Sequence, residues 1–311
     1  MPRSRTTDSA AGSRSAGTPS ARSSAVTNPA EPYGFALTVD RAATAVELPD
    51  PDTPGVEVWH DLDGTTAAVG FQRQDEHYLH VPTVGTFRFG PHSAAVVLFP
   101  TPDVCEQSAD DAYCRIVLPL ASQLHGRQVL HASAVVISGG VIALCGRSGA
   151  GKSTLAYGLG QRGHPLWGDD AVAYEETDAG LLAHPLPFRL RLRPPSAEWF
   201  DDLPHLKGNE RALPWSAGTQ PRPFRAMFVL ERGDAPDGVA DVARLDPADA
   251  FSAVLPHGYY LALSDRRLSR SLLSAYLALA DRLPVFRLRY VPQLELIDDI
   301  GAAVETAVAT L

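Results

Sequence analysis

The sequence has almost no lysine, only three cysteines and no long apolar segment. Lysine occurs at Lys152 and Lys207 alone, against twenty-five arginines. Arginine and lysine differ in shape and hydration, so a lysine kept inside a motif points to chemistry that arginine does not supply. No two of the three cysteines are close in sequence, which excludes a disulfide framework and a four-ligand zinc site. The odd number of cysteines is typical of a protein from a reducing compartment.

Signals for membranes and for nucleic acids are missing as well. No window approaches eighteen consecutive apolar residues, and no apolar stretch follows the arginines at the N-terminus. The formal net charge is -9, whereas a nucleic-acid partner requires a basic surface that releases counterions. We therefore predict a cytoplasmic protein that binds neither a membrane nor a nucleic acid.

The composition and the pattern of apolar residues change twice along the 311 residues of the chain. Residues 1–30 are rich in Ser, Ala, Thr and Arg without an apolar period, which predicts a disordered tail. Short apolar runs separated by turn residues predict antiparallel β structure from about residue 33 to 102. The predicted division is a tail over residues 1–30, a small β-rich domain over 31–110 and an α/β domain over 111–311.

The α/β domain is predicted from strands that alternate with helices. A helix over residues 111–126 ends at a glycine, and a buried hairpin over 129–145 turns at Gly139 and Gly140. Further strands are predicted over 165–174, 185–195, 225–230 and 285–290, and further helices over 153–163, 268–283 and 294–308. This pattern predicts a central mixed sheet with a ligand site at the carboxyl edge of its strands.

A glycine-rich segment joins the second hairpin strand to the next helix. Residues 146–153 read Gly-Arg-Ser-Gly-Ala-Gly-Lys-Ser and match the phosphate-loop pattern at every fixed position. In such a loop the glycines admit phosphate to the backbone N–H groups, Lys152 reaches the β- and γ-phosphates, and Ser153 offers its hydroxyl to Mg²⁺. The predicted nucleotide-binding residues are Gly146, Arg147, Ser148, Gly149, Ala150, Gly151, Lys152, Ser153 and Thr154.

Two adjacent carboxylates, Asp169 and Asp170, follow the loop in the middle of a predicted apolar strand. Burying both is costly unless a cation or a ligand proton neutralises them. Adjacent strand residues point to opposite faces, so we expect one acid on the metal or its water and the other near the phosphoryl acceptor as a base. The alternative is a turn at a strand end with two solvated acids.

Two other groups could take part in the chemistry. His131 lies on the hairpin strand next to the one that feeds the loop, so it could approach the phosphates, although a core histidine is the simpler interpretation. Arg189, Arg191 and Arg193 alternate along a predicted strand. We predict a solvated strand face for them, with an anchor for a small carboxylic acid as the alternative.

Three segments together resemble the HPr serine kinase/phosphorylase family, in its shorter HPr-kinase-like branch, which is related to phosphoenolpyruvate carboxykinases. They are Leu-His-Ala-Ser-Ala-Val at residues 130–135, the loop and helix start at 146–156, and the segment at 162–172 that contains Gly-Asp-Asp. The resemblance implies a P-loop α/β domain that uses ATP and Mg²⁺ to phosphorylate a serine of a small protein or precursor peptide. It also implies oligomers. A glycine- and arginine-containing signature that the family carries further downstream is not found, which leaves HPr as the target and phosphorylase activity open.

Carried over to this chain, the resemblance gives each candidate residue a role. Lys152 and Ser153 would bind phosphate and Mg²⁺, Asp169 would lie on the metal side, Asp170 would be the base, and His131 would neighbour the γ-phosphate. Either aspartate could be the base. An ATP-binding regulatory or accessory protein without phosphoryl transfer and a small-molecule carboxykinase are the alternatives; the base-like second acid favours the kinase.

Overall fold

The computed structural model describes residues 35–41, 46–60, 63–200, 202–207, 209–214, 216, 220–235, 238–259 and 266–311. The predicted tail over residues 1–30 lies outside them.

The first sheet has six strands. They are β1 (Ala36–Val39), β2 (Glu57–His60), β3 (Thr66–Arg73), β4 (Glu76–Val81), β5 (Gly85–Gly90) and β6 (Ser93–Pro100). Their order in the sheet is β1-β6-β5-β4-β3-β2. The prediction of a purely antiparallel region is wrong at one edge, because β1 pairs with β6 in parallel. Apolar alternation indicates strands but not their direction.

A helical segment in three parts follows this sheet. It consists of α1 (Glu106–Ala112), a π-helical turn (Tyr113–Val117) and α2 (Leu118–Leu124). Tyr113 and Val117 are fully buried in the same core as Phe87 of β5. The segment ends before Gly126, whose φ of +85° is the left-handed conformation that favours glycine after a helix. The helix therefore ends where it was predicted to end, but it begins at Glu106.

The second sheet has nine strands and positions the loop. The strands are β7 (Gln128–Leu130), β8 (Ala132–Ile137), β9 (Gly140–Cys145), β10 (Leu166–Gly168), β11 (Val172–Thr177), β12 (Gly180–His184), β16 (Arg222–Arg232), β17 (Ala240–Arg244) and β18 (Val285–Tyr290). Seven of them form the main path of the sheet, in the order β10-β8-β9-β16-β12-β11-β7. β18 also pairs with β16, and β17 pairs with the other side of β18. Strands β9, β16 and β18 run parallel to one another, whereas the remaining pairings are antiparallel, so the sheet is mixed as predicted.

The first strand of the predicted hairpin is not continuous. It breaks at His131, because β7 pairs with β11 whereas β8 pairs with β9 and β10. The hairpin of β8 and β9 turns through Ser138 and Gly139, both with positive φ. An apolar run gives no sign of a change of partner along its length, so the break could not be predicted.

Helices cover both faces of the second sheet. On one face α3 (Lys152–Gln161) and α7 (Ile297–Ala309) share a core with β8, β9 and β16. On the other face α5 (Pro247–Val254) and α6 (Arg266–Arg282) share a core with the same strands and with β11. The short helix α4 (Ser196–Trp199) and two 3₁₀ turns (Leu255–His257 and Leu294–Leu296) complete the helices of the described residues.

A small third sheet contains β13 (Arg191–Leu192), β15 (Glu210–Ala212) and β14 (His205–Lys207). The strand predicted over residues 185–195 is thus reduced to two residues. The protein is a mixed α/β structure with several sheets, and the proposed division into domains stays a prediction. Among the residues described, no helix is long and apolar enough to cross a membrane.

Candidate active site

The glycine-rich loop connects the end of β9 to the start of α3. Gly149 and Gly151 have φ values of +78° and +93°, which favour glycine strongly over other residues. A Cβ on Gly146 would lie 2.8 Å from the Cβ of Ala150, so glycine is needed there for space. The Tyr290 hydroxyl of β18 donates a hydrogen bond to the Ala150 carbonyl. The loop is therefore held from the neighbouring strand in the conformation that its glycines permit.

The predicted binding residues differ in exposure along the loop, and Gly151, Ser153 and Thr154 are partly buried. Arg147, Ser148 and Gly149 are exposed at its tip, whereas Gly146, Ala150 and Lys152 are buried. Thr154 does not face the acids, because its hydroxyl contacts the Ser196 hydroxyl of α4 at 2.9 Å. The exposed tip is thus the part of the loop that a nucleotide could reach directly.

Lys152 is buried at the first turn of α3 and bonds back to the loop. Its Nζ donates to the carbonyl oxygens of Gly146 at 3.0 Å and Arg147 at 3.4 Å. Within the described residues it forms no ion pair with a carboxylate inside 4 Å, and burial lowers the pKa of its ammonium group. A buried cation held by neutral carbonyls favours the arrival of an anion, and phosphate is such an anion.

The two acids lie in a break between strands, which corrects the continuous strand predicted over residues 165–174. β10 ends at Gly168 and β11 begins at Val172, because β10 pairs with β8 whereas β11 pairs with β7 and β12. Asp170 has a φ of +67°. Because the two acids are not in a strand, strand geometry does not place their side chains on opposite faces of the sheet. The alternative of two solvated acids fails as well, because Asp169 is 6% exposed.

Asp169 is held by three donors. Its Oδ1 accepts hydrogen bonds from the hydroxyls of Ser133 of β8 at 2.6 Å and Ser153 of α3 at 2.8 Å, and its Oδ2 accepts from the Arg191 backbone N–H at 3.2 Å. Burial, followed by the charge of Asp170, raises the pKa of the Asp169 carboxyl to about 6. Two strands and a helix thus fix this carboxylate beside the loop.

Asp170 points to a different partner. Its Oδ2 lies 2.6 Å from Nε of Arg115, and its carboxylate keeps 23% of its side-chain surface exposed. The Tyr259 hydroxyl donates to the Asp170 carbonyl at 3.0 Å. Asp170 is therefore reachable from solvent, whereas Asp169 is not. Arg115, Ser133 and Tyr259 also contact the acids, although no sequence pattern predicted these contacts.

His131 occupies the break between β7 and β8 and is half-buried there. Its backbone N–H donates to the carbonyl of His257 at 2.6 Å. Burial and the charge of Lys152 lower the pKa of His131, and burial, Lys152 and His131 lower that of His257 to about 4. The structure thus brings His131 near Lys152, and sequence reasoning missed His257. Both rings are mainly neutral at pH 7, so they offer hydrogen bonds and no positive charge.

Ser153 and Asp169 could supply oxygen ligands to one cation, since their oxygens are already 2.8 Å apart. Within the described part of the chain, no cluster of three His, Cys, Asp or Glu side chains could hold a metal ion alone. Mg²⁺ is normally held by one or two protein oxygens together with substrate phosphates and water. The residues present therefore fit Mg²⁺ that arrives with a nucleotide.

The three alternating arginines are not a solvated strand face. The side chains of Arg189 and Arg191 are 14% and 19% exposed, and they approach Asp111 of α1 at 3.8 Å and 2.5 Å. Only Arg193, at 74%, is well exposed. The prediction fails because the partner carboxylate, Asp111, lies about eighty residues earlier in the chain.

Two cavities lie away from the loop. One of about 320 Å³ is lined by residues of the first sheet such as Trp59 and Phe71, and one of about 480 Å³ lies beside Trp167 and Arg222. Neither is lined by loop residues or by the two acids. The location of the candidate site therefore rests on the loop and the acids and not on either of these cavities.

One prediction follows from the burial of Asp169. The folded ligand-free protein holds the Asp169 proton more tightly than the unfolded chain does, because the pKa rises from 3.8 to about 6. This contribution to stability is present at low pH and is lost as the pH rises from about 4 to about 6. Relative to the wild type, Asp169→Asn should therefore gain about 1 to 2 kcal/mol in the free energy of unfolding between pH 4.5 and pH 8.

Urea unfolding of both proteins at the two pH values, with EDTA and without nucleotide, measures this gain. The comparison between pH values cancels any constant cost of the altered hydrogen bonds to Ser133 and Ser153. An equal difference between the two proteins at pH 4.5 and pH 8 would show that Asp169 is not buried as an acid.

The chain is similar to two curated proteins over a short segment. No protein-family model matches the chain. Two curated proteins, both named HPr kinase/phosphorylase and both from Clostridium botulinum (strains Eklund 17B and Alaska E43), are 44% identical to it over 68 residues. The match covers 22% of this chain and 22% of each relative, so the chain spans about a fifth of the length of the curated relatives it matches.

Among solved structures, the Hpr(Ser) kinase/phosphatase from Coxiella burnetii aligns with 59% of this chain and 92% of its own. The alignment has 15% identity and a TM-score of 0.31, which is too low to assign a fold. The curated relatives confirm the resemblance that the sequence indicated. Over the 68 residues that they share, this chain is similar to these HPr kinase/phosphorylases.

Proposed function

We propose that the protein is a Mg-ATP-dependent kinase that phosphorylates a serine hydroxyl of a small protein or peptide. The observation that carries the proposal is the convergence of the loop on the acid pair: Ser153, directly after Lys152, bonds to Asp169, and Asp170 follows in the same break. A phosphate cradle, a metal-binding oxygen pair and a candidate base thus lie together. These are the parts that phosphoryl transfer requires.

The nucleotide would be held by the loop tip and by Lys152. Backbone N–H groups at the start of α3 and the positive end of its dipole favour phosphate. Lys152 would exchange its bonds to the carbonyls of Gly146 and Arg147 for bonds to phosphate oxygens. Mg²⁺ held by Ser153 and Asp169 would neutralise charge on the β- and γ-phosphates.

Asp170 is better suited than Asp169 to act as the base. Asp169 is buried and engaged by three donors, whereas Asp170 keeps part of its carboxylate exposed. Asp170 would accept the proton of the serine hydroxyl as the serine oxygen bonds to the γ-phosphorus and the bridging bond to ADP breaks. His131 would offer a neutral ring near the transferred group.

The carboxykinase alternative loses two of its three candidate anchors. A small carboxylic acid would need arginines that it can reach, but Arg189 and Arg191 are largely buried against Asp111, and Arg193 alone of the three is well exposed. The regulatory alternative, ATP binding without transfer, does not need a general base, whereas Asp170 is suited to be one. Both observations favour the kinase.

Transfer of ³²P from γ-labelled Mg-ATP tests the proposal. The acceptors are small proteins and serine peptides encoded beside this gene, and ATP binding is measured in parallel. Label on a phosphoserine is the expected result. Tight ATP binding without transfer to any acceptor would contradict the kinase and favour the regulatory protein. The cytoplasmic location and self-association remain predictions.

A further inference from the structure

We propose that the helical segment 106–124, which packs on the first sheet, positions both acids of the second sheet, and that Arg115 is its main positioning residue. The inference rests on the proposed function, because it concerns the same acids. Arg115 lies 55 residues before Asp170 in sequence, yet its Nε lies 2.6 Å from Oδ2 of Asp170. Within the described residues this is the sole ion pair that the Asp170 carboxylate makes inside 4 Å.

The local structure of the segment fixes where Arg115 points. Arg115 is the middle residue of the π-helical turn, and Tyr113 and Val117 on either side of it are fully buried. A π turn shifts the side chains that follow relative to a regular α-helix, and such turns are frequent at functional sites. Because its neighbours are anchored in the core, the backbone at Arg115 is fixed in a position from which the guanidinium group reaches Asp170.

A second contact ties the same segment to the other acid. Asp111, four residues before Arg115, lies 2.5 Å from the Arg191 guanidinium group, and the Arg191 backbone N–H donates to Asp169. Residues four apart on a helical segment lie on one side of it. One side of the segment therefore reaches Asp170 directly through Arg115, and Asp169 indirectly through Arg191.

The positive charge of Arg115 reduces the repulsion between the two acids. Two neighbouring carboxylates repel each other, and the repulsion is strong where water is scarce. Arg115 offsets the charge of Asp170 and draws its carboxylate away from Asp169. The Tyr259 hydroxyl, which bonds to the carbonyl of Asp170 and lies 3.4 Å from that of Arg115, holds the two backbones together as well. The two carboxylates are thereby held apart before any ligand arrives.

The test compares Arg115→Gln with Arg115→Lys and uses Arg162→Gln as a matched control. Arg162 makes a similar ion pair of 2.7 Å, with Glu305 of α7, at a comparable side-chain exposure, but far from the acids along α3. We expect Arg115→Gln to lower kcat for phosphoryl transfer at least about tenfold, with the Kd for Mg-ATP unchanged within about twofold. Arg115→Lys, or guanidinium ion added to Arg115→Gln, should restore part of kcat. Arg162→Gln should keep the wild-type kcat.

The assay uses the acceptor found by label transfer, with ATP hydrolysis by water as a second measure. If the wild type transfers phosphate and Arg115→Gln has the same kcat, the positioning role is wrong and the kinase proposal stands. A loss of kcat that neither lysine nor guanidinium ion restores would also overturn it, because general damage to the fold would produce that result. If the wild type transfers phosphate to no acceptor, the proposed function itself fails.

Discussion

Asp170→Asn is expected to lower the rate of phosphoryl transfer by a factor of about 10² to 10⁴ and to leave Mg-ATP binding nearly unchanged. Asparagine has almost the same shape, but it cannot accept the proton of the acceptor hydroxyl. Nucleotide binding should survive because the loop, Lys152 and Ser153 make no side-chain contact with the Asp170 carboxylate. Single-turnover transfer and equilibrium ATP binding, measured on the same samples, separate the two effects.

A matched carboxylate elsewhere serves as control. Asp202 accepts a hydrogen bond from the Tyr157 hydroxyl at 2.7 Å and lies away from the acid pair, so Asp202→Asn should retain the wild-type transfer rate. Transfer by Asp170→Asn at the wild-type rate would remove Asp170 as the base. In that case Asp169→Asn, tested in the same assay, becomes the deciding variant.

Lys152→Ala is expected to weaken ATP binding by at least about 100-fold, because it removes the one buried cation of the loop. Lys152→Arg should not restore binding. The ammonium group fits between the carbonyls of Gly146 and Arg147, whereas a planar guanidinium group is larger and donates in a fixed fork. Calorimetric titration with ATP in the presence of Mg²⁺ measures all three proteins.

Lys207→Ala is the natural control, since Lys207 is the only other lysine of the sequence. It should bind ATP like the wild type. Thermal melting should show Lys152→Ala folded, because a buried ammonium group with a lowered pKa adds little to stability. ATP affinity within about threefold of the wild type in folded Lys152→Ala would show that the loop does not bind phosphate through this residue.

The loop was the most predictable part of the candidate site, because its pattern is local. Eight consecutive residues between an apolar strand and a helix predict it, and the structure has β9 before it and α3 after it. The hairpin of β8 and β9 was predictable for the same reason, since Gly139 and Gly140 place its turn to within one residue of Ser138 and Gly139. Local patterns need no knowledge of distant partners.

The surroundings of the acids could not be predicted in this way. The strand break at Asp169 and Asp170 arises because β10 and β11 take different partners, and an apolar run is equally consistent with one partner or two. The contact between Arg115 and Asp170 spans 55 positions, and a single sequence contains no signal that pairs them. The burial of Arg189 and Arg191 was missed because Asp111 supplies their counter-charge from another element.

The two strand breaks also keep the strands that border the acids short. β7 and β10 lie at opposite ends of the main path of the second sheet, yet β7 leads through His131 alone into β8, the strand that pairs with β10. Both strands therefore connect to β8, β7 along the chain and β10 by pairing. Each is only three residues long, and exposed edges that are long and flat are the ones that recruit other chains. Within the described residues, the strands that border the break at Asp169 and Asp170 at the two ends of this path are therefore too short to offer a long edge for intermolecular strand addition.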